Sequence, residues 1–336
     1  MKHVNRMLQK SAIYLESLSF LICLILKKSE NKMETNNKLN NNTYIPKISS
    51  SEYESQPKII IDDGIKIYKR GKIEVVALRG LNCTFNKGEI TVIMGPSGCG
   101  KTTLLNLIGG LDRLNSGNII VDGQNICHLS DTELEKYRRN KIGFVFQFLN
   151  LIPELTAEEN ILLPLELSGT LTKERREFVK ELLNIVGLED RKVHRPDELS
   201  GGEQQRISVA AALANNPDIV LCDEPTGELD SQSKNVVFGL LRSIIERFPE
   251  KAIIIVSHDP DLKQIADKMY YIRDGAISHQ FSKKELEDLK KTSSDQTDFK
   301  SLDSNRGKEI ALLELLEISH IIDEKIKKID KDLHAQ

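Results

Sequence analysis

Between Ile59 and Phe281 the apolar positions follow two different rhythms. Short β-type segments come first, at Ile59 to Ile61, Ile65 to Tyr68 and Glu74 to Leu78, and Leu81, Cys83 and Phe85 then alternate with polar residues before Gly88. A period of two sets one face of such segments against a core, so they predict an antiparallel β layer. Further on, Thr91 to Met94, Ile142 to Phe146, Ile219 to Cys222 and Ala252 to Val256 are apolar runs separated by helix-like stretches. Strands buried on both faces read this way, which predicts a mostly parallel sheet and an α/β domain over residues 58–281. Helix limits are marked as well: Ser130 and Glu133 form a capping-box pattern ahead of Leu134, and Gly187 follows the helix-like Lys173 to Val186.

The flanks break both rhythms. Residues 1–57 open basic, continue through an apolar run from Ala12 to Leu26 interrupted by Glu16, and end in an asparagine-rich stretch from Asn31 to Asn42. The run is shorter than the ~20 residues a spanning helix needs. Three readings stay open: a membrane-surface anchor, a secretion signal, or a low-complexity, disordered extension translated upstream of a start at Met33. Residues 282–307 read as a polar linker. Residues 308–336 read as a C-terminal amphipathic helix, because Leu315, Ile318, Ile322, Ile326, Ile329 and Leu333 fall on one helical face. Such a helix either docks on its own domain or meets a partner.

Composition narrows the function classes. The 336 residues carry 47 basic and 50 acidic side chains, a net charge of −3, which counts against a dedicated nucleic-acid binder. No apolar run is long enough for a multi-span membrane protein. Cys23, Cys83, Cys99, Cys127 and Cys222 lack zinc or disulfide spacing, and a reducing compartment is expected.

The chemistry concentrates at three places. Gly95, Pro96, Ser97, Gly98, Cys99, Gly100, Lys101 and Thr102 form a GxxxxGK[ST] loop between an apolar run and the helix-like stretch that starts at Thr103. Its glycines let backbone N–H groups approach phosphate, Lys101 reaches the β- and γ-phosphates, and the Thr102 hydroxyl ligates Mg²⁺. The run Ile219 to Cys222 ends in two carboxylates: Asp223 suits Mg²⁺ coordination, and Glu224 is a candidate general base for the attacking water. Between them in sequence, Leu199-Ser-Gly-Gly-Glu-Gln-Gln-Arg206 puts Ser200, Gly201, Gly202 and Glu203 at the start of a helix, a second anion site.

That segment, in that order, resembles the signature motif of the ATP-binding cassette (ABC) ATPases. The resemblance covers about Ile59 to Phe281. It implies a P-loop NTPase fold with a mostly parallel core sheet, an antiparallel β subdomain and a helical subdomain. It further implies ATP and Mg²⁺ as cofactors, and a head-to-tail homodimer or heterodimer of ATPase domains in which Ser200 to Glu203 meet the nucleotide held by the other subunit. Gln147 matches the loop glutamine that senses Mg²⁺ and water, His258 the switch histidine at the γ-phosphate, Asp230 the acidic member of the dimer-interface loop, and Tyr68 the residue stacked on adenine.

Gly143 to Gln147, Asn150 to Pro153, Leu155 to Asn160 and Asp223 to Gly227 look like the subgroup of lipoprotein-release, macrolide-export and cell-division ATPases. This resemblance implies a transport-coupled ATPase on the cytoplasmic face of the membrane, driving an integral permease on a separate chain. Cys99, Thr102, Ala211 and Glu228 depart from the subgroup's usual residues. Two other readings stand beside this one. A soluble cassette ATPase of translation or DNA metabolism is disfavoured by the single cassette, by the lack of a coiled-coil insertion between the motifs and by the lack of a basic run. A mechanical regulator of a membrane enzyme is not separated by sequence.

Overall fold

A computed structural model of the chain describes residues 57–71 and 73–287. The N-terminal extension with its candidate start at Met33, and the amphipathic segment of residues 308–336, lie outside the described residues.

The parallel sheet expected from the apolar runs is six strands wide. Its order is β10 (Ala276–Phe281), β9 (Lys268–Arg273), β3 (Ile90–Met94), β8 (Ala252–Val256), β7 (Ile219–Asp223) and β6 (Ile142–Val145), and every pairing except β9 with β10 is parallel. Alternate side chains leave opposite faces of a strand. Val220 and Cys222 of β7 and Ile253 and Ile255 of β8 therefore join one core, whereas Ile219, Leu221, Ile254 and Val256 join the other. Burial on both faces is why these strands read as unbroken apolar runs rather than as alternation.

A four-stranded antiparallel sheet, β2 (Ile73–Phe85), β1 (Ile59–Arg70), β4 (Ser116–Val121) and β5 (Gln124–Asn125), supplies the second core's far wall. The β segments expected separately before and after residues 62–64 are one strand, β1, whose pairing is irregular around Asp63 and Gly64. A further irregularity sits in β2: Lys66 faces Leu78 but Ile67 faces Val76, which leaves Ala77 as a bulge. The Ala77 carbonyl oxygen lies 2.6 Å from where a Cβ would stand on Gly100, and equally 2.6 Å from one on Gly275.

Between the sheets lies α1 (Lys101–Ile108), followed by α2 (Asp131–Lys141), which carries the expected capping box at Ser130 and Glu133. The helices α3 (Ala157–Ser168), α4 (Lys173–Ile185) and α5 (Gly201–Leu213) bury Leu165, Val179, Leu182, Leu183, Ile207 and Val209 in the first core; α6 (Ser231–Arg247) adds Val237, Leu241 and Ile244. An alternating ring of charge ties the two sheets together at one end: Lys58 pairs with Asp122 (2.8 Å) and Asp218 (3.4 Å), and Lys141 pairs with the same two carboxylates. Burial opposes ionisation of Asp218, but its bond from Lys141 and the charge of Lys58 outweigh this and hold the carboxyl below its ordinary range.

The folded body passes the boundary expected at Phe281. Ser282 caps a helical turn through Glu285, whose Oε2 accepts from the Ser282 amide (2.6 Å), and Leu286 is buried in the first core. Polar composition made this stretch read as linker, but a single buried leucine anchors it. Lys283 reaches Asp267 (3.0 Å).

Candidate active site

Four parallel strands end at the same edge of the sheet, and each is followed at once by a candidate residue. After β3 comes the loop from Gly95, after β7 comes Glu224, after β8 come Ser257 and His258, and after β6 comes Gln147. The carboxyl edge of parallel strands is where open α/β sheets bind ligands.

In the phosphate loop it is the backbone that sets the geometry. Gly100 has φ +106° and caps α1 without a side-chain bond, so the N–H groups of the first helical turn stay available to an anion. A Cβ on Gly95 would overlap the Ile272 carbonyl, and Gly98, with φ +81°, faces open space. Lys101 is buried, and its Nζ donates to the carbonyls of Gly95 (2.6 Å) and Pro96 (3.1 Å). The Cys99 side chain is buried away from the loop's exposed residues Ser97 and Gly98; burial pushes its thiol up, against the pull of the Lys101 charge. Cysteine in place of serine thus leaves the backbone cradle intact.

Thr102 and Asp223 come together, with Oγ1 donating to Oδ1 at 3.3 Å. Burial raises the Asp223 carboxyl, the neighbouring Glu224 charge adds to that, and Thr102 and Lys101 oppose it. A hydroxyl beside a carboxylate short of positive charge is an oxygen donor pair of the kind that suits Mg²⁺.

Glu224 adopts φ +48°, a region that side-chain-bearing residues seldom occupy, and its amide donates to Val256 O (2.9 Å). The carboxylate is held at both oxygens, by Ser257 Oγ at Oε2 (2.7 Å) and by His258 Nδ1 at Oε1 (2.9 Å). Burial would raise its pKa, but these two bonds and the charges of His258 and Lys101 bring it below the ordinary range. Backbone strain at a doubly tethered carboxylate is the mark of a functional position.

Gln147 stands exposed in the bend after β6. The chain beyond it is pinned by buried Asn160, whose Oδ1 accepts from Ile152 N (2.7 Å) and whose Nδ2 donates to the carbonyls of Ile152, Leu155 and Thr156. Tyr68 projects from β1 with its hydroxyl donating to Asp112 Oδ2 (2.7 Å). Burial and that carboxylate raise the phenol's pKa, while the Thr103 hydroxyl lowers it, so Tyr68 stands beside the first turn of α1.

The signature segment makes its bonds elsewhere. Ser200 caps α5 in a reciprocal box with Glu203, Glu203 pairs with Arg191 (3.6 Å), and Gly202 packs where a Cβ would meet Ser233 Oγ at 2.9 Å. Asp230 caps α6 by accepting from Gln232 N and Ser233 N. Within one chain, Ser200 with Glu203 and Asp230 therefore serve as helix caps, and Gly201 between the first two is exposed, with Leu229 Cδ2 3.7 Å from where its Cβ would stand. Sequence reasoning missed Ser257, Lys66, Asp112 and Asn160. Ser257 had one available signal, a hydroxyl directly before His258; the contact between Asp112 and Tyr68 spans 44 residues and had none.

The family model for the ABC transporter matches residues 78–227. The chain is 45% identical over 212 residues to an uncharacterized ABC transporter ATP-binding protein of Thermotoga maritima, covering 63% of this chain and 90% of that protein. It is 44% identical over 207 residues to the lipoprotein-releasing system ATP-binding protein LolD of Bacteroides thetaiotaomicron, covering 62% of this chain and 94% of that one. Among solved structures, the ATP-binding cassette MJ0796 of Methanocaldococcus jannaschii, a dimer in a post-hydrolysis state bound to ADP and Pi, superposes with a TM-score of 0.61 at 41% identity, covering 67% of this chain and 98% of that one. The phosphate loop and its neighbours thus sit in a fold and a sequence shared over nine-tenths of these relatives, and the chain belongs to the ABC transporter family as an ATP-binding, ATP-hydrolysing domain.

Proposed function

We propose that this chain is the motor subunit of a membrane transporter: two ATPase domains sandwich ATP head to tail, and their closing and opening drive an integral permease carried on a separate chain. In this reading the folded domain works at the cytoplasmic face of the membrane. Among the described residues no helix is long and apolar enough to cross a membrane, and LolD is by name the ATP-binding protein of a lipoprotein-releasing system, which supports a partner on another chain. The observation that carries the proposal is the tethered Glu224 beside the Thr102–Asp223 pair at the mouth of the phosphate loop.

The roles proposed here combine that geometry with the resemblance. The free amides of the first α1 turn and Lys101 bind the phosphates, with Lys101 exchanging loop carbonyls for phosphate oxygens. Thr102 and Asp223, with Gln147, would hold Mg²⁺, which when bound neutralises charge on the phosphates. Glu224, ionised at neutral pH, takes the proton of the attacking water, and Ser257 keeps that carboxylate oriented while His258 leaves Oε1 for the γ-phosphate. Ser200, Gly201, Gly202 and Glu203 would bind the nucleotide of the opposite domain, with Asp230 at the shared interface, and Tyr68 would stack on adenine.

Replacing Glu224 with Gln tests the assignment. It should lower the ATP hydrolysis rate by about a hundredfold or more and leave ATP affinity within a few-fold of the parent. Undiminished turnover removes Glu224 as the base. Copurification of that variant with a multi-span protein from membranes solubilised in the presence of ATP would support the partner, and recovery of ribosomal or DNA-bound proteins instead would overturn it.

A further inference from the structure

We infer that Asp112 and Lys66 are positioning residues for base recognition: together they lock the ring of Tyr68 and leave one open face, beside Val75, as the shelf on which a purine stacks. The inference rests on reading Tyr68 as the base platform and goes beyond it by assigning what holds the platform still.

Lys66 and Tyr68 are two residues apart on β1 and share a face. Lys66 is nearly buried; its Nζ donates to Asp112 Oδ1 (2.5 Å) and Arg113 O (2.8 Å) and lies 4.8 Å from the centroid of the Tyr68 ring. One ring face is thus occupied by a cation, in the arrangement that the ring quadrupole favours. The same carboxylate then takes the ring's edge, because Tyr68 Oη donates to the other oxygen, Asp112 Oδ2, at 2.7 Å. A single aspartate therefore fixes both the cation over the ring and the hydroxyl at its tip.

This restraint contrasts with how little the ring is used for packing. Tyr68 is 39% exposed, and Val75, directly opposite on β2, is 53% exposed. Burying an ion pair costs desolvation, and a ring this exposed, touched besides by the Thr103 hydroxyl, gains too little from packing to require that cost. A ring that must receive a flat ligand does, since a side chain already held in one rotamer loses no further freedom when the ligand stacks on it. The clamp is also tied to the phosphates: Asp112 lies four residues beyond the end of α1, the eight-residue helix that starts at Lys101. One short rigid element therefore relates the shelf to the phosphate loop. Because stacking reads the face of a base rather than its edge, the shelf should accept adenine and guanine nucleotides alike.

Calorimetric titration of the full chain with ADP, and separately with pyrophosphate, both with magnesium, tests the inference. Tyr68→Phe, which keeps the ring and removes only its hydroxyl, and Asp112→Asn should each weaken ADP by about fivefold. The double variant should be no weaker than Asp112→Asn alone, as expected when the hydroxyl acts through that carboxylate. Pyrophosphate, which has no base, should bind all of them as it binds the parent. Tyr68→Ala should weaken ADP by about tenfold or more through lost stacking. If Tyr68→Ala weakens ADP and Tyr68→Phe does not, the ring stacks but the clamp does not position it, and the inference fails while the platform reading survives. If Tyr68→Ala leaves ADP affinity unchanged, the platform reading fails and takes the inference with it. Equal weakening of pyrophosphate would reduce the clamp to general scaffolding. Should Asp112→Asn not fold, Tyr68→Phe alone decides.

Discussion

Replacing Asp267 with Asn removes one negative charge from a joint between three parts of the fold while keeping its shape. Asp267 is 6% exposed; its Oδ2 accepts from Ile90 N (3.0 Å) at the start of β3 and from Arg242 Nη1 (2.6 Å) on α6, and its Oδ1 faces Lys283 (3.0 Å). The asparagine oxygen can still accept from Ile90 N, so that bond survives. Lys283 is more than half exposed, and its pairing contributes little. Arg242 donates to the same oxygen as Ile90 N, so what is lost is the negative charge its guanidinium faces, worth about 2 kcal/mol at a buried acceptor. For a domain of this size each kcal/mol moves the thermal midpoint by roughly 2–4 °C, so the variant should melt about 4–8 °C below the parent near neutral pH.

The deficit should also depend on pH. Although burial opposes ionisation of Asp267, its bonds from Arg242, Ile90 and Lys283 outweigh this and lower its folded-state pKa. The carboxylate's contribution is therefore fully present above the unfolded value of about 4 and is lost as pH falls through the lower folded value. Melting curves followed by circular dichroism should show a constant gap from about pH 7 to pH 5 that narrows toward pH 3 as the parent's own carboxyl takes up a proton. No gap at neutral pH, or a gap that stays the same throughout, would refute the reasoning.

Two further substitutions probe other links. Ser257→Ala removes the donor to Glu224 Oε2 and leaves the Asp259 amide, which donates to Ser257 Oγ (3.1 Å), without that acceptor; steady-state kinetics should show kcat reduced roughly tenfold with KM for ATP nearly unchanged, and Ser257→Thr should restore most of it. Gly143→Ala places a Cβ onto the Ala212 carbonyl and within 2.9 Å of Pro217 Cγ, so β6 must move off α5; denaturant titration should report a loss of about 3 kcal/mol or more, and an unchanged midpoint would show that the site relaxes freely.

The buried strands and the phosphate loop were legible because each rests on a short stretch of sequence. An apolar run such as Ala252 to Val256 has one compact explanation, and a capping box such as Ser130 with Glu133 closes over four residues. The strands β4, β5, β9 and β10 were passed over although both hairpins turn on an Asp-Gly pair in the left-handed region, Asp122-Gly123 and Asp274-Gly275, a strong local turn signal. Lys268 to Arg273 places charge at both ends of an apolar run, β5 is two polar residues, and β4 and β10 are half polar, so none matches either rhythm cleanly. In the site, motif residues could be named, but the partners that hold them could not. Lys66 and Asp112 meet across 46 residues, and Ser257 meets Glu224 across 33. Asn160 belonged to a recognisable stretch, yet nothing in its neighbours announced that one amide would gather four backbone groups.

The bulge at Ala77 sets a rule for which mutations this chain can absorb. Its backbone oxygen, not its side chain, crowds Gly100 in the phosphate loop and Gly275 in the β9–β10 turn. Scanning side chains at position 77 would leave that oxygen in place, while larger residues at either glycine meet two obstacles, the Ala77 oxygen and a left-handed backbone of φ +106° at Gly100 and +78° at Gly275. Nor can a second point substitution rescue them, since no side-chain change withdraws a carbonyl. Only a change in the number of residues in β2 could move it: deleting one between Glu74 and Leu78 would straighten the pairing with β1 and shift the oxygen, leaving the left-handed backbone as the remaining bar to a side chain at each glycine. The length of one strand in the outer sheet thus sets one of the two constraints at a pair of positions far from it in the chain, a share that insertions and deletions reveal and substitutions conceal.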